Sequence, residues 1–130
     1  MYYEARSEPL EGQYAVAHVV LNRVADDKFP NDACKVVKQG LEKGIGRCQF
    51  SWYCDGKKDI IWANYSDGRT IKENARAWFD SIVIALAVMT GHVNDNTDGS
   101  VYYYNHHLVF PNWAETQTLS VIIGNHTFMR

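Results

Sequence analysis

The chain has 130 residues, 46% of them hydrophobic, with 13 Lys and Arg against 15 Asp and Glu and a formal charge of −2. At this length roughly two-thirds of the unfolded surface can be buried, so a single domain over residues 1–130 is expected, with a core that does not require metal or disulfide staples. The composition excludes collagen-like, low-complexity and disordered chains, and its mixed charge leaves no basic footprint, so no nucleic acid partner is expected.

The apolar stretches Val16 to Leu21 and Ile82 to Met89 are periodic and well short of the ~20 residues of a bilayer crossing, so no membrane insertion is expected. No charged start with an apolar run and a small-residue cleavage site precedes the first motif, and no secretory signal is read.

From Pro9 to Val24 the residues Ala17, Val20, Leu21 and Val24 recur at i, i+3, i+4 and i+7, which predicts a helix with one buried face. Ser7 or Glu8 can cap it, and Pro9 suits its first turn. Asn31 or Asp32 can cap a second, shorter helix through Val36, Val37 and Leu41, after which Gly40, Gly44 and Gly46 punctuate a loop. Thr70 with Glu73 forms a capping-box signature ahead of Ala75, Trp78, Phe79, Ile82, Leu86 and Met89, with Gly91 as the stop. This third helix is expected to be central.

After Gly91 the pattern changes. Asn94 to Ser100 reads as a polar turn and Val101-Tyr102-Tyr103-Tyr104 as a strand, since aromatic and β-branched residues suit a pleated surface. Val121-Ile122-Ile123 and Thr127-Phe128-Met129 flank Gly124-Asn125 and predict a hairpin.

Three cysteines, Cys34, Cys48 and Cys54, do not have zinc-ribbon spacing. Two of them could pair in an oxidising compartment, with Cys48 and Cys54 the candidate bridge and three ordinary thiols the alternative.

The opening segment Tyr3-Glu4-Ala5-Arg6-Ser7-Glu8-Pro9 carries two carboxylates four residues apart around an arginine. If it is helical, Glu4 and Glu8 share a face with Cβ atoms about 6 Å apart, and their repulsion would keep one protonated at neutral pH. A protonated Glu is the general acid that glycosidic cleavage requires, because the departing sugar oxygen must receive a proton. The plain alternative is that both acids face a helix dipole, with Arg6 paired to either.

The same segment opens a longer likeness. Glu4-Ala5-Arg6-Ser7-Glu8-Pro9, Gly12-Gln13, Ala15-Val16-Ala17, Val20-Leu21-Asn22-Arg23-Val24 and Phe29-Pro30 resemble the SleB-type cell-wall hydrolase family. So do Cys48-Gln49-Phe50-Ser51-Trp52 with Cys54-Asp55-Gly56, Val101-Tyr102-Tyr103-Tyr104-Asn105, and Ile123-Gly124-Asn125-His126-Thr127-Phe128. Ser7 stands where the family usually has Gly, which would matter if that position needs positive φ. The loop Lys38 to Arg47 is longer than usual, and only three residues precede Glu4, which would leave its supporting helix short.

The resemblance implies an α+β fold, a mainly helical lysozyme-like domain with a small antiparallel β element in its C-terminal third. It implies cleavage of the MurNAc-GlcNAc β-1,4 bond of peptidoglycan, as a lytic transglycosylase giving 1,6-anhydro-MurNAc ends, with no cofactor. Glu4 maps onto the family's essential acid, with Glu8, Arg6 and His126 in support. Gln49, Phe50, Ser51, Tyr102, Tyr103 and Asn105 are expected to bind sugar. Alternation along the strand means that Tyr102 and Tyr104 face the side opposite Tyr103, so one set is expected to be core packing.

The partner is then a glycan strand and the protein a monomer acting on the cell wall, either as a phage lysin released from the host cytoplasm or as the trimmed domain of an exported enzyme. Muramidase-type hydrolysis and a non-catalytic peptidoglycan-binding or virion module are the alternatives.

His106, His107 and His126 could make a zinc site, but adjacent strand histidines diverge, no His-Glu-x-x-His pattern exists, and His126 is expected instead to orient a carboxylate or cap a turn. Asn94-x-Asn96-x-Asp98-Gly99 copies part of a calcium loop, yet its twelfth position is Asn105 rather than Glu, and a polar turn accounts for it. The sequons Asn64-Tyr65-Ser66 and Asn125-His126-Thr127 read as coincidences.

Overall fold

A computed structural model describes residues 1–130 except Gly46 and Tyr65. The Gly46 position of the glycine loop and the centre of the first sequon therefore lie outside the described residues. Among the described residues the chain forms helices α1 (Tyr2–Ala5), α2 (Leu10–Ala25), α3 (Ala33–Lys38) and α4 (Ile71–Met89), then strands β1 (Tyr102–Asn105), β2 (Leu119–Ile123) and β3 (His126–Met129). No helix is long and apolar enough to cross a membrane, among the described residues. The mainly helical body with a C-terminal antiparallel sheet agrees with the expected α+β class.

Pro9 itself is the N-cap of α2, with φ −58° and ψ 160°, and no side chain caps the helix. Neither Ser7 nor Glu8 does so, because the Glu8 carboxylate turns toward the distant hairpin. Gln13 instead donates from Nε2 to the Glu8 carbonyl at 3.0 Å, fixing the bend between α1 and α2. Ser7 has no positive φ, so the absent glycine costs no backbone strain there. Its hydroxyl accepts a 2.7 Å bond from Arg69.

Asp32 caps α3 by accepting from the Lys35 N–H at 2.9 Å. The helix stops at Lys38 rather than running through Leu41, because Gly40 has φ 93° and a Cβ there would lie 2.6 Å from the Arg47 carbonyl oxygen. Leu41 falls in a separate 3₁₀ turn, Leu41–Lys43. A second such turn, Ser51–Cys54, carries the cysteine segment, and of the two alternatives it is the bridge that forms, Cys48 to Cys54, with Cα atoms 6.0 Å apart. Cys34 is free and exposed.

The capping box of α4 forms as expected, with Thr70 and Glu73 exchanging side-chain and backbone bonds. Its burial does not follow expectation. Asn74, Ser81, Ile84 and Val88 are buried, while Phe79, Ile82, Val83, Leu86 and Met89 are exposed on the opposite face. The central helix is α2, which is nearly continuous in apolar residues from Ala15 to Leu21 and packs against α1, α3, α4, β1 and β2. Its Ala15, Val16 and Val19 join Ala5 and Phe128 in the core cluster, whereas the predicted stripe of Val20, Leu21 and Val24 is only half-buried.

The sheet order is β1-β3-β2, antiparallel throughout, with β3 buried along its whole length. Tyr103 pairs with Phe128 and Asn105 with His126. Gly124 and Asn125 make the predicted two-residue turn, since Ile123 pairs with His126. Gly124 has φ 57° and Asn125 has no positive φ, which fits a II′ turn with glycine in its first central position.

The polar turn ahead of β1 is organised by Asp95, not by the calcium-loop positions. Asp95 accepts from the Thr97 N–H at 2.8 Å and the Gly99 N–H at 3.0 Å, and Asn22 of α2 donates to it at 3.0 Å. Asn96 reaches away to the Glu11 carbonyl and Asp98 pairs with Arg130, so those side chains do not converge.

Candidate active site

A groove of about 630 Å³ opens where α1, α2, the disulfide segment, β1 and the loop after β1 meet. Glu4, Gln49, Ser51, Tyr102, Tyr103, Asn105 and His126 line it, so seven of the expected residues converge from four separate stretches of chain. Glu4 is the one acidic side chain among the described residues of that lining.

Glu4 sits in the short helix α1, whose Tyr2 and Ala5 are 2% and 1% exposed and root it in the interior. The Ala5 N–H is bound to the Met1 carbonyl at 2.9 Å, and the Glu8 N–H to the Ala5 carbonyl at 2.9 Å. From β1 the Tyr103 hydroxyl donates to Glu4 Oε2 at 2.8 Å. Burial raises the Glu4 pKa above the ordinary carboxylate value, against the opposing pulls of the Tyr103 bond, the Met1 amine and Arg23. The Tyr103 hydroxyl is itself pushed well up by burial and by the nearby Glu4, so it stays a donor.

The environment of Glu8 is the reverse. Its carboxylate accepts from the Asn125 N–H at 2.9 Å and from Asn125 Nδ2 at 3.0 Å. Burial pushes its pKa up, but these bonds, with His126 and His106 nearby, outweigh burial and hold it below the ordinary value. The expected repulsion between Glu4 and Glu8 does not occur, because α1 ends at Ala5 and the two acids leave the bend in different directions. Among the described residues Arg6 pairs with neither acid. It approaches Asp67 at 3.8 Å and lies 4.8 Å over the Tyr2 ring, outside the groove.

His126 stands beside Glu8, Nδ1 to Oε2 being 3.7 Å, and meets the Tyr103 ring edge-on at 5.2 Å. Burial lowers its pKa against the opposing pull of Glu8, which favours the neutral ring, and it packs between Glu8 and Tyr103. His106 and His107 lie just beyond β1 with ring centroids 4.3 Å apart, so strand alternation does not separate them as expected. No group of three or more metal-ligating side chains occurs among the described residues.

Two of the residues expected to bind sugar have other contacts in the structure. Phe50 is 3% exposed, with its ring beneath the Arg23 guanidinium, and it lines a separate apolar cavity of about 150 Å³ behind the groove. Tyr103 stacks on Phe128 at 5.8 Å, so its contribution is the hydroxyl on Glu4 rather than a free ring face. Tyr102 and Tyr104 point the other way, as alternation requires, and both pack against Trp113 at 5.4 and 5.7 Å.

Trp113, Tyr104 and Arg23 are groove residues not anticipated from sequence. Nothing local marks Trp113, which arrives on a 3₁₀ turn, Asn112–Thr116. Arg23 did leave a signal: it falls in phase with Val16 and Val19 on the most buried face of α2, where a charge needs a reason.

Residues 7–129 match a family model described as Cell Wall Hydrolase. A spore cortex-lytic enzyme of Bacillus cereus is 27% identical over 130 residues, covering all of this chain and 41% of the relative, so the chain spans less than half of that protein's length. Among solved structures, the catalytic domain of the germination-specific lytic transglycosylase SleB from Bacillus anthracis superposes with a TM-score of 0.63 at 29% identity, over 99% of this chain and 86% of the other. The catalytic domain of the Bacillus cereus SleB protein gives 0.62 at 28% identity, over 99% and 82%.

Proposed function

The chain belongs to the cell wall hydrolase family, and on that premise we propose that it cleaves peptidoglycan glycan strands at the β-1,4 bond between N-acetylmuramic acid and N-acetylglucosamine, with Glu4 as the general acid. The observation that carries this reading is the Glu4 carboxyl group, its pKa raised by burial and its orientation set by Tyr103, in a groove of about 630 Å³. A carboxylic acid whose pKa is raised holds its proton to higher pH and can pass it to the glycosidic oxygen as the bond to the muramoyl C1 breaks.

The fate of C1 distinguishes two routes. Hydrolysis ordinarily recruits a second carboxylate, whereas attack by the muramoyl C6 hydroxyl needs only that Glu4, now ionised, take the hydroxyl proton and return to its starting state. Glu4 has no acidic companion among the described groove residues, and Glu8 is engaged by Asn125. This favours the transglycosylase route and 1,6-anhydro-MurNAc ends. Tyr102, Tyr104 and Trp113 then offer ring faces to the pyranoses, with Gln49, Ser51 and Asn105 as hydrogen-bonding partners. Glu8, Arg6 and His126 support the site from outside the reaction, and the protein works as a monomeric domain without a cofactor.

The place of action is the cell wall, and the disulfide suits an oxidising compartment. Mass spectrometry of muropeptides released from purified peptidoglycan tests the reading. Anhydro-muramic ends are expected. Reducing muramic ends would replace it with hydrolysis, and binding without release with a non-catalytic module.

A further inference from the structure

Arg23 is 4% exposed, a costly position for a permanent cation, yet it lines the same groove as Glu4. Three contacts hold it there. Its Nε donates to the Val101 carbonyl at 2.6 Å, and its guanidinium carbon lies 5.2 Å from the Phe29 ring centroid and 5.6 Å from that of Phe50. Among the described residues its side chain makes no ion pair. A cation fixed by a carbonyl and two ring faces cannot swing away, so its field at the groove is constant.

We infer that Arg23 is a positioning residue for Glu4, a clamped guanidinium that stabilises the negative charge developing on the Glu4 carboxyl group as its proton passes to the glycosidic oxygen. The inference rests on the proposed active site. In that step the Glu4 O–H bond breaks, the new O–H bond forms on the bridging oxygen, and the C1–O electron pair goes to that oxygen. The negative charge left on Glu4 sits in a half-buried site where solvent compensates poorly. Arg23 supplies the compensation from α2, while Tyr103 supplies a hydrogen bond from β1. Among the described residues the other titratable or charged groups facing the pair are Tyr102 on β1, His126 on β3 through the Tyr103 ring, and the Met1 amine.

The experiment follows the Glu4 carboxyl carbon by ¹³C NMR across a pH titration in the wild-type chain and in Arg23→Met, Arg23→Gln and Arg23→Lys, alongside pH–rate profiles on peptidoglycan. Loss of the cation is expected to move the Glu4 midpoint up by about one pH unit in Met and Gln, with the alkaline limb of the rate profile moving equally. Lys should keep the midpoint within about half a unit and still lose turnover, because it cannot hold the carbonyl and both rings together. An unchanged midpoint in folded Arg23→Met or Arg23→Gln overturns the inference, as does a Lys midpoint displaced as far as theirs. Failure of all three variants to fold makes Arg23 structural only and overturns it too. If peptidoglycan is not cleaved, the assignment of the active site fails on its own, while the NMR midpoints still decide whether Arg23 acts on Glu4.

Discussion

Tyr103 Oη and Glu4 Oε2 are 2.8 Å apart, a hydrogen bond that joins β1 to α1 across 99 residues of sequence. It fixes the carboxyl group of a four-residue helix against β1, the neighbour of the buried strand β3. Tyr103→Phe should therefore leave the fold in place while Glu4 loses its orientation. We expect turnover on peptidoglycan to fall about tenfold or more, as when a donor to a reacting group is removed. The Tyr103 bond favours ionised Glu4, so its loss should raise the Glu4 pKa and move the alkaline limb of activity to higher pH. Unchanged turnover and an unchanged limb would show that the bond is incidental.

Local signals account for what was legible in the sequence. The Thr70–Glu73 capping box, the Asp32 cap and the Gly124-Asn125 turn depend on residues within three or four positions, and each forms as read. Periodicity could not choose between faces: α4 is apolar around much of its circumference and buries Ile84 and Val88 rather than Phe79 and Leu86. The bend at Ser7 to Pro9, which parts Glu8 from Glu4, depends on Gly12 and Gly124. A Cβ on Gly12 would lie 3.2 Å from the Glu8 Cβ, and one on Gly124 would lie 2.4 Å from Glu8 Oε2. The Glu8–Asn125 bond that holds this arrangement spans 117 residues and is invisible in local spacing. Glu4, Gln49, Ser51, Tyr102 and Asn105 were identified by resemblance, and their meeting in one groove is a tertiary fact.

Glu4 also predicts a stability effect. Its folded pKa is raised, so between the ordinary carboxylate value and that raised value the folded state binds more protons than the unfolded one. Stability then falls as pH rises through this window, and the penalty is full above it. Glu4→Gln, which can still accept from Tyr103, should be more stable than wild type at pH 7, and the gap should close below the ordinary carboxylate pKa. Thermal unfolding of both proteins from pH 3 to 8 checks this, and a less stable Gln variant at pH 7 would contradict it.

Glu8 carries the opposite sign. Its folded pKa is depressed, so its contribution is full above the unfolded carboxylate value and is lost as pH falls through the folded one. Glu8→Ala removes the acceptor for both Asn125 donors and should cost about 2 kcal/mol at pH 7 by urea denaturation, with the cost shrinking in acid. Gly124→Ala should be destabilising at every pH, since the new Cβ would also lie 2.9 Å from Pro9 Cδ at a φ of 57°.

Reduction of the Cys48–Cys54 bridge frees the segment that carries Gln49 and Ser51. A loop this short contributes about 2 kcal/mol in the chain-entropy picture. Dithiothreitol, or Cys48→Ser with Cys54→Ser, should raise KM for peptidoglycan several-fold while affecting kcat less. An equal KM in oxidised and reduced protein would remove the disulfide segment from the binding groove.

The most direct test of the account is the turnover of Glu4→Gln on purified peptidoglycan, measured with its fold and glycan binding. Gln keeps the shape and the Tyr103 acceptor but cannot give up a proton. Activity should fall by at least about a hundredfold with binding retained. A folded Gln variant that still cleaves glycan strands at close to the wild-type rate would contradict the assignment of Glu4 as the acid.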